Sequence, residues 1–74
     1  MKWIPVNKEL PKENYDWVLA LPVDYFNSSN IFVPCVLELR NGKWASEEYE
    51  DYEAWYHVKI THWMPLPDPP EIER

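Results

Sequence analysis

The pair Asn41-Gly42 separates an apolar, β-branched run, Ile31 to Arg40, from the short stretch Lys43-Trp44-Ala45. Asn-Gly is the favoured centre of a two-residue type I′ hairpin, because both central positions need positive φ and these residues tolerate it best. A loop of two residues fixes the register, with Arg40 opposite Lys43 and Leu39 opposite Trp44. Leu37, Leu39 and Trp44 then share one face, while Glu38, Arg40, Lys43 and Ala45 take the other. The pairing sorts apolar from polar side chains, as a half-buried sheet requires. A chain built this way is organised around an antiparallel sheet.

The remaining segments supply its neighbours. Trp3-Ile4-Pro5-Val6 reads as a short edge strand, because Pro5 has no N–H for a ladder. Asn7 to Asp16 reads as a loop. Trp17 to Val23 alternates as a strand, which puts Trp17, Leu19, Leu21 and Val23 on one face, and Pro22 confines it to an edge or a strand end. Asp24 to Asn30 reads as a turn or flexible loop. Across Ser46 to Tyr56 the pattern predicts a short helix capped by Ser46, with Tyr49, Tyr52, Trp55 and Tyr56 on one face. Mutual repulsion of its acids favours the alternative, an ordered loop. His57 to Met64 returns to period two, with Val58, Ile60, His62 and Met64 together, and residues 65–74 form an extended, Pro-rich tail. The expected fold is a single small α+β domain over residues 1–74, mostly β. It has a three- to four-stranded antiparallel sheet, a central Asn-Gly hairpin and one short helix.

With 74 residues the chain has little core to spend, and its five Trp, five Tyr and two Phe must supply much of the buried area. Trp17, Trp44 and Trp63 are the expected core aromatics; Tyr25, Phe26, Tyr52 and Tyr56 are expected to be partly exposed. The lone Cys35 excludes an intramolecular disulfide and, in its apolar run, reads as a small hydrophobe, which points to a reducing cytosol. No apolar run approaches the roughly 20 residues of a membrane span, and no secretory leader is legible. A soluble protein of the bacterial cytoplasm, with no membrane partner, is the expectation.

Trp3-Ile4-Pro5-Val6, Leu10-Pro11, Trp17-Val18-Leu19, Gly42-Lys43-Trp44, Thr61-His62-Trp63-Met64-Pro65-Leu66-Pro67 and Pro69-Pro70 stand in an order that spans essentially the whole chain. In this the chain resembles the domain-of-unknown-function family 551, short proteins found largely in phage and prophage genomes. The Thr-His-Trp-Met-Pro-Leu-Pro ending is the most specific piece. The resemblance implies a phage accessory role in a bacterial host, and it carries no activity, cofactor or catalytic residue over to this sequence. Against that family pattern, the Asp24–Asn30 loop is long and the Glu47–Glu53 segment densely acidic.

That acidic segment is where the charge lies. The net charge is −6, and Glu47, Glu48, Glu50, Asp51 and Glu53 fall within seven residues that hold no Lys or Arg, leaving eight acids against seven bases elsewhere. Such a distribution argues against direct nucleic-acid binding through a basic face. As a contact surface, Glu47, Glu48, Glu50, Asp51, Tyr52, Glu53 and Tyr56 would meet a protein partner with a basic surface. The plainer reading is a solvated face that keeps an aromatic-rich protein soluble.

Other chemistries find less support. His57 and His62, five apart on a strand, point to opposite faces, and no Cys pair completes a zinc set, so no metal is expected. His62 reads instead as a hydrogen-bonded, partly buried structural residue. Ser28, Ser29 and Ser46 lack an adjacent base, Cys35 lacks an electropositive neighbour, and a single Gly cannot build a phosphate-cradling loop. No catalytic residue and no cofactor are expected. The sequence therefore points to a non-enzymatic phage or prophage accessory protein that binds, and by binding inhibits, a host or phage protein. The alternatives are a small-molecule or glycan-binding module using exposed aromatics, or a structural, oligomerising component.

Overall fold

The computed structural model describes residues 2–12 and 17–67. Of the Pro-rich tail expected over residues 65–74, Pro65 is instead the last residue of a strand, and residues 68–74, like the loop residues 13–16, lie outside the described residues. Five strands and one short helix follow in order: β1 (Ile4–Pro5), β2 (Val18–Asp24), β3 (Cys35–Arg40), β4 (Lys43–Ala45), α1 (Tyr52–Tyr56) and β5 (Val58–Pro65). All five strands form one antiparallel sheet in the order β1-β5-β2-β3-β4. The count exceeds the expected three or four because the two-residue β1 completes an edge beside β5.

The hairpin of β3 and β4 forms in the anticipated register, Arg40 with Lys43, Leu39 with Trp44 and Glu38 with Ala45. Asn41 at φ 53° and Gly42 at φ 78° both take the left-handed conformation that a type I′ turn demands. Leu37, Leu39 and Trp44 are buried as expected. Ala45 and Glu38 are buried too, on the opposite face, where Glu38 pairs with the Arg40 guanidinium. β3 starts only at Cys35, not at Ile31. Pro34 has no N–H to offer a ladder, and Ile31 makes just an isolated bridge to Val23 while the Phe32 N–H donates to the Pro22 carbonyl.

One irregularity reorganises the two longest strands. Leu21 opposes His62 but Pro22 opposes Ile60, so Thr61 is an extra residue bulged out of β5. The bulge explains how Pro22 sits in a strand flanked on both sides. It lies at the break in the β5 ladder and beyond the β3 pairing, which stops at Ala20. The expected faces are also corrected. Val18 and Ala20, not Trp17, Leu19 and Leu21, point into the core, and on β5 Val58 and Ile60 are followed by Trp63, not by His62 and Met64. On β5 the inserted Thr61 flips the side chains beyond it to the other face, whereas β2 is uninterrupted through Val18, Ala20 and Pro22 and buries that face, with Val23 buried beside it.

The core is thus Val18, Ala20, Leu37, Leu39, Trp44, Ile60 and Trp63, with Ile4, Val6, Cys35 and Tyr52 packed at its margin. Trp63 also ties the N-terminal loop down: its indole N–H donates to the Glu9 carbonyl at 2.8 Å. Trp17, expected in the core, is 37% exposed at the mouth of β2.

The Asp24–Asn30 loop is held by its own side chains. Asp24 Oδ1 accepts from the Phe26 N–H, Asn27 Oδ1 from the Ser29 N–H, and Asn30 Nδ2 donates to Asp24 Oδ2. The bond from the Phe26 N–H, followed by that from Asn30, holds the Asp24 carboxyl below its ordinary value. Its tip nevertheless presents Tyr25 and Phe26 to solvent, Phe26 being 86% exposed.

Candidate functional site: an acidic and aromatic corner

The acidic segment does not form the single helix expected from Ser46 onward. The Ser46 hydroxyl accepts from the Glu48 and Tyr49 N–H groups, and the Ser46 N–H donates to the Tyr49 carbonyl at 2.8 Å. That carbonyl is therefore occupied in the wrong direction for a helix, and the segment closes as a turn. A new start follows. Asp51, at φ −132°, caps α1 by accepting from the Ala54 N–H at 3.2 Å, and His57 ends it in the left-handed conformation at φ 53°, its N–H on the Glu53 carbonyl. His57 is thus a helix cap, not a strand residue. With little more than one turn of backbone bonding, α1 depends on its side-chain contacts.

These two turns divide the seven candidate residues into groups with different tasks. Glu47, Glu48 and Glu50 are exposed on the turn. Asp51 is half-buried and occupied as the cap. Glu53 is half-buried and folds back on the sheet, where its Oε2 accepts from the Ile60 N–H at 2.9 Å. The five carboxylates therefore do not form one solvent-facing patch: two hold the fold and three face outward. Tyr52 packs against the core margin, and Tyr56 is half-exposed.

The tyrosines form a stacked group. Tyr52 and Tyr56 lie 4.5 Å apart between ring centroids at a 32° tilt, and Tyr49 meets Tyr56 edge-on at 5.6 Å and 83°. Trp55 covers Tyr49 from another side at 4.8 Å. The Tyr49, Tyr52 and Tyr56 rings line a cleft of about 550 Å³ together with Trp17, Val36 and Leu66, and Ser46, Glu47 and Glu48 also contribute to it. Tyr49, Trp17, Val36 and Leu66 were not singled out from the sequence as site residues. Tyr49 could have been, since it stands three and seven residues before Tyr52 and Tyr56. Trp17 was hidden because β2 is apolar on both faces, and the face of Val18, Ala20 and Pro22, not that of Trp17, Leu19 and Leu21, is the buried one.

Burial, followed by a hydrogen bond to Cys35, pushes the Tyr52 hydroxyl up to about 12 from its ordinary 10. Burial likewise pushes the Cys35 thiol up, with the Tyr52 hydroxyl partly offsetting it. Tyr56 is raised chiefly by its hydrogen bond to Tyr49, and the negative charge of Glu48 adds to it. A raised folded-state value means that the folded protein holds its proton where the unfolded chain has lost it. The associated stability is complete below pH 10 and is lost as the pH rises from 10 to about 12. After allowance for solvent screening, the Tyr52 contribution is about 1 kcal/mol. Thermal unfolding followed across that window is expected to show a steeper alkaline decline for the wild type than for Tyr52→Phe; parallel curves would contradict it.

His62 is half-buried and its Nδ1 lies 3.0 Å from the Thr61 hydroxyl, as a structural histidine. Among the described residues no three His, Cys, Asp or Glu side chains are gathered to hold a metal ion, and no helix is long and apolar enough to cross a membrane.

Comparison with known proteins agrees with the pattern read along the chain. The model of the family described as protein of unknown function (DUF551) matches residues 2–71. A protein of Salmonella phage P22, described as an uncharacterized 7.8 kDa protein in the ral-gp17 intergenic region, is 35% identical over 72 residues, covering 95% of this chain and 97% of its own length. No solved structure matches.

Proposed function

The chain belongs to the DUF551 family, and from that membership and the geometry of its acidic corner we propose that it is a non-enzymatic phage or prophage accessory protein that works in the bacterial cytoplasm by binding a host or phage protein with a basic surface. One observation carries the reading. Glu47, Glu48 and Glu50 are exposed beside a cluster of tyrosines, in a stretch from Trp44 to Val58 that has no Lys or Arg. Tyrosine supplies large contact area at low entropic cost, and surface charge steers the encounter. Occupying a partner's basic surface would block whatever that surface normally holds, which is how binding becomes inhibition.

The experiment follows from the division of the acids. A partner captured by the wild type is titrated against Glu47→Gln/Glu48→Gln/Glu50→Gln, which leaves Asp51 and Glu53 in place. Three exposed charge pairs of the usual strength correspond to roughly a tenfold loss of affinity, with a flatter salt dependence. Unchanged affinity and unchanged salt dependence would sink the reading. A second reading, a glycan or small-molecule module, is favoured by the aromatic lining of the cleft. The same titration separates the two, because stacking on an uncharged ligand is screened far less by salt than surface charge is.

A further inference from the structure

The cleft itself says which part of a basic surface it fits. Tyr49 and Tyr56 stand nearly perpendicular, at 83°, so their rings form a corner, with Tyr52 packed against Tyr56 and Trp55 against Tyr49. Trp17, 37% exposed, contributes a further aromatic surface, and Glu47 and Glu48 also line the cleft. None of its lining residues is Lys or Arg. Aromatic faces carry the negative end of a quadrupole and attract a cation, and carboxylates at the same opening reinforce that sign. The Glu48 charge already reaches the ring cluster, since it helps to raise the Tyr56 hydroxyl.

We propose that this cleft receives an arginine side chain from the partner protein, its guanidinium stacked in the Tyr49–Tyr56 corner and forked onto Glu48. The proposal rests on the protein-binding reading above and adds the chemical group recognised. Arginine fits better than lysine for physical reasons. A guanidinium is flat, weakly hydrated and offers paired donors to a carboxylate, whereas an ammonium is compact and holds its water strongly. A volume of about 550 Å³ also leaves room for residues flanking the arginine, which Val36 and Leu66 would contact through apolar surface. The occupant is therefore an extended segment with arginine at its centre.

The probe is the blocked tripeptide acetyl-Ala-Arg-Ala-amide, titrated into the full chain to roughly 10 mM, enough to saturate a site with a Kd of about 1 mM. Its citrulline counterpart keeps the shape and removes the charge. Ring resonances of Trp17, Tyr49, Tyr52 and Tyr56 are expected to shift saturably with the arginine peptide. The citrulline peptide should bind about two- to fivefold more weakly, the scale of one exposed cation–π contact. Glu48→Gln should weaken the arginine peptide and leave the citrulline peptide unchanged, with the amide spectrum of the sheet reporting that the fold is intact. Equal binding of the two peptides, shifts located away from the cleft, or no saturable shift would each overturn the proposal. The two levels fail separately. Loss of a natural partner on neutralising Glu47, Glu48 and Glu50, with no peptide in the cleft, would leave the surface reading standing and remove this one. A peptide that enters the cleft beside a partner indifferent to those charges would do the reverse.

Discussion

Trp63→Ala is expected to unfold most of the protein at physiological temperature. A 74-residue domain has on the order of 4–11 kcal/mol of stability in total. Removing a buried tryptophan costs about 3–5 kcal/mol in lost transfer energy and the cavity left behind. Trp63 carries a second task. Its indole N–H donates to the Glu9 carbonyl across 54 residues of chain, so its loss also frees the segment that holds the buried Pro11 over the sheet. It stands between Ile4 of β1 and Ala20 of β2 in the ladder, and the cavity would open where three strands meet. Trp63→Phe keeps an aromatic ring in the core but loses the pyrrole part of the indole and its hydrogen bond, and should cost about 1–3 kcal/mol, because the Glu9 carbonyl is left without its donor. Urea unfolding followed by circular dichroism separates the two variants. A midpoint for Trp63→Ala close to the wild type would show that the core does not rest on this side chain.

Trp63 also shows where sequence reading succeeded and where it stopped. The Asn41-Gly42 hairpin was legible to the residue, because turn chemistry and alternation pointed to one register and only two residues separate the strands. Trp44 and Trp63 were rightly placed in the core. The second half of β5 was not legible, because strict alternation assumes an uninterrupted ladder, and on β2 alternation left two apolar faces, Val18-Ala20-Pro22 and Leu19-Leu21-Val23, with nothing local to choose between them. The bulge at Thr61 is set by its neighbour: Pro22 cannot donate a ladder hydrogen bond, and the register gives way opposite it. Nothing in Ile60-Thr61-His62 alone announces that. The bulge puts Trp63 on the same face as Ile60, which reconciles its burial with the alternation of β5.

The acidic corner was legible as composition and illegible as geometry. Five carboxylates in seven residues suggested a patch, and Ser46 suggested a helix cap. Both signals were real, yet local hydrogen bonds redirected them. Ser46 closed a turn on Tyr49, and Asp51 took the capping position five residues later. The cleft needed the sheet as well as the turn, since Trp17, Val36 and Leu66 approach the tyrosines only after β2, β3 and β5 have paired. Long-range placement of that kind has no signature in a local window of sequence.

Glu53→Ala is expected to be the most destabilising change within the acidic run. The Ile60 amide is partly buried beside the bulge, and Glu53 Oε2 is the acceptor that it meets at 2.9 Å. Deleting the carboxylate strands that donor, at a cost of about 1–3 kcal/mol. Glu53 also stands in the first turn of α1, where negative charge is favourable, and α1 has too few backbone bonds to hold itself. Glu53→Gln retains an acceptor oxygen and should lose less than about 1 kcal/mol. Glu48→Ala, by contrast, touches an exposed side chain and should stay within about 0.5 kcal/mol of the wild type. Thermal unfolding of the three variants reads the difference directly. Equal stability of Glu53→Ala and Glu48→Ala would mean that the run acts as one solvated face. A clear gap between them would mean that charge and structure are divided residue by residue, and that only Glu47, Glu48 and Glu50 are available to meet a partner without loosening the sheet.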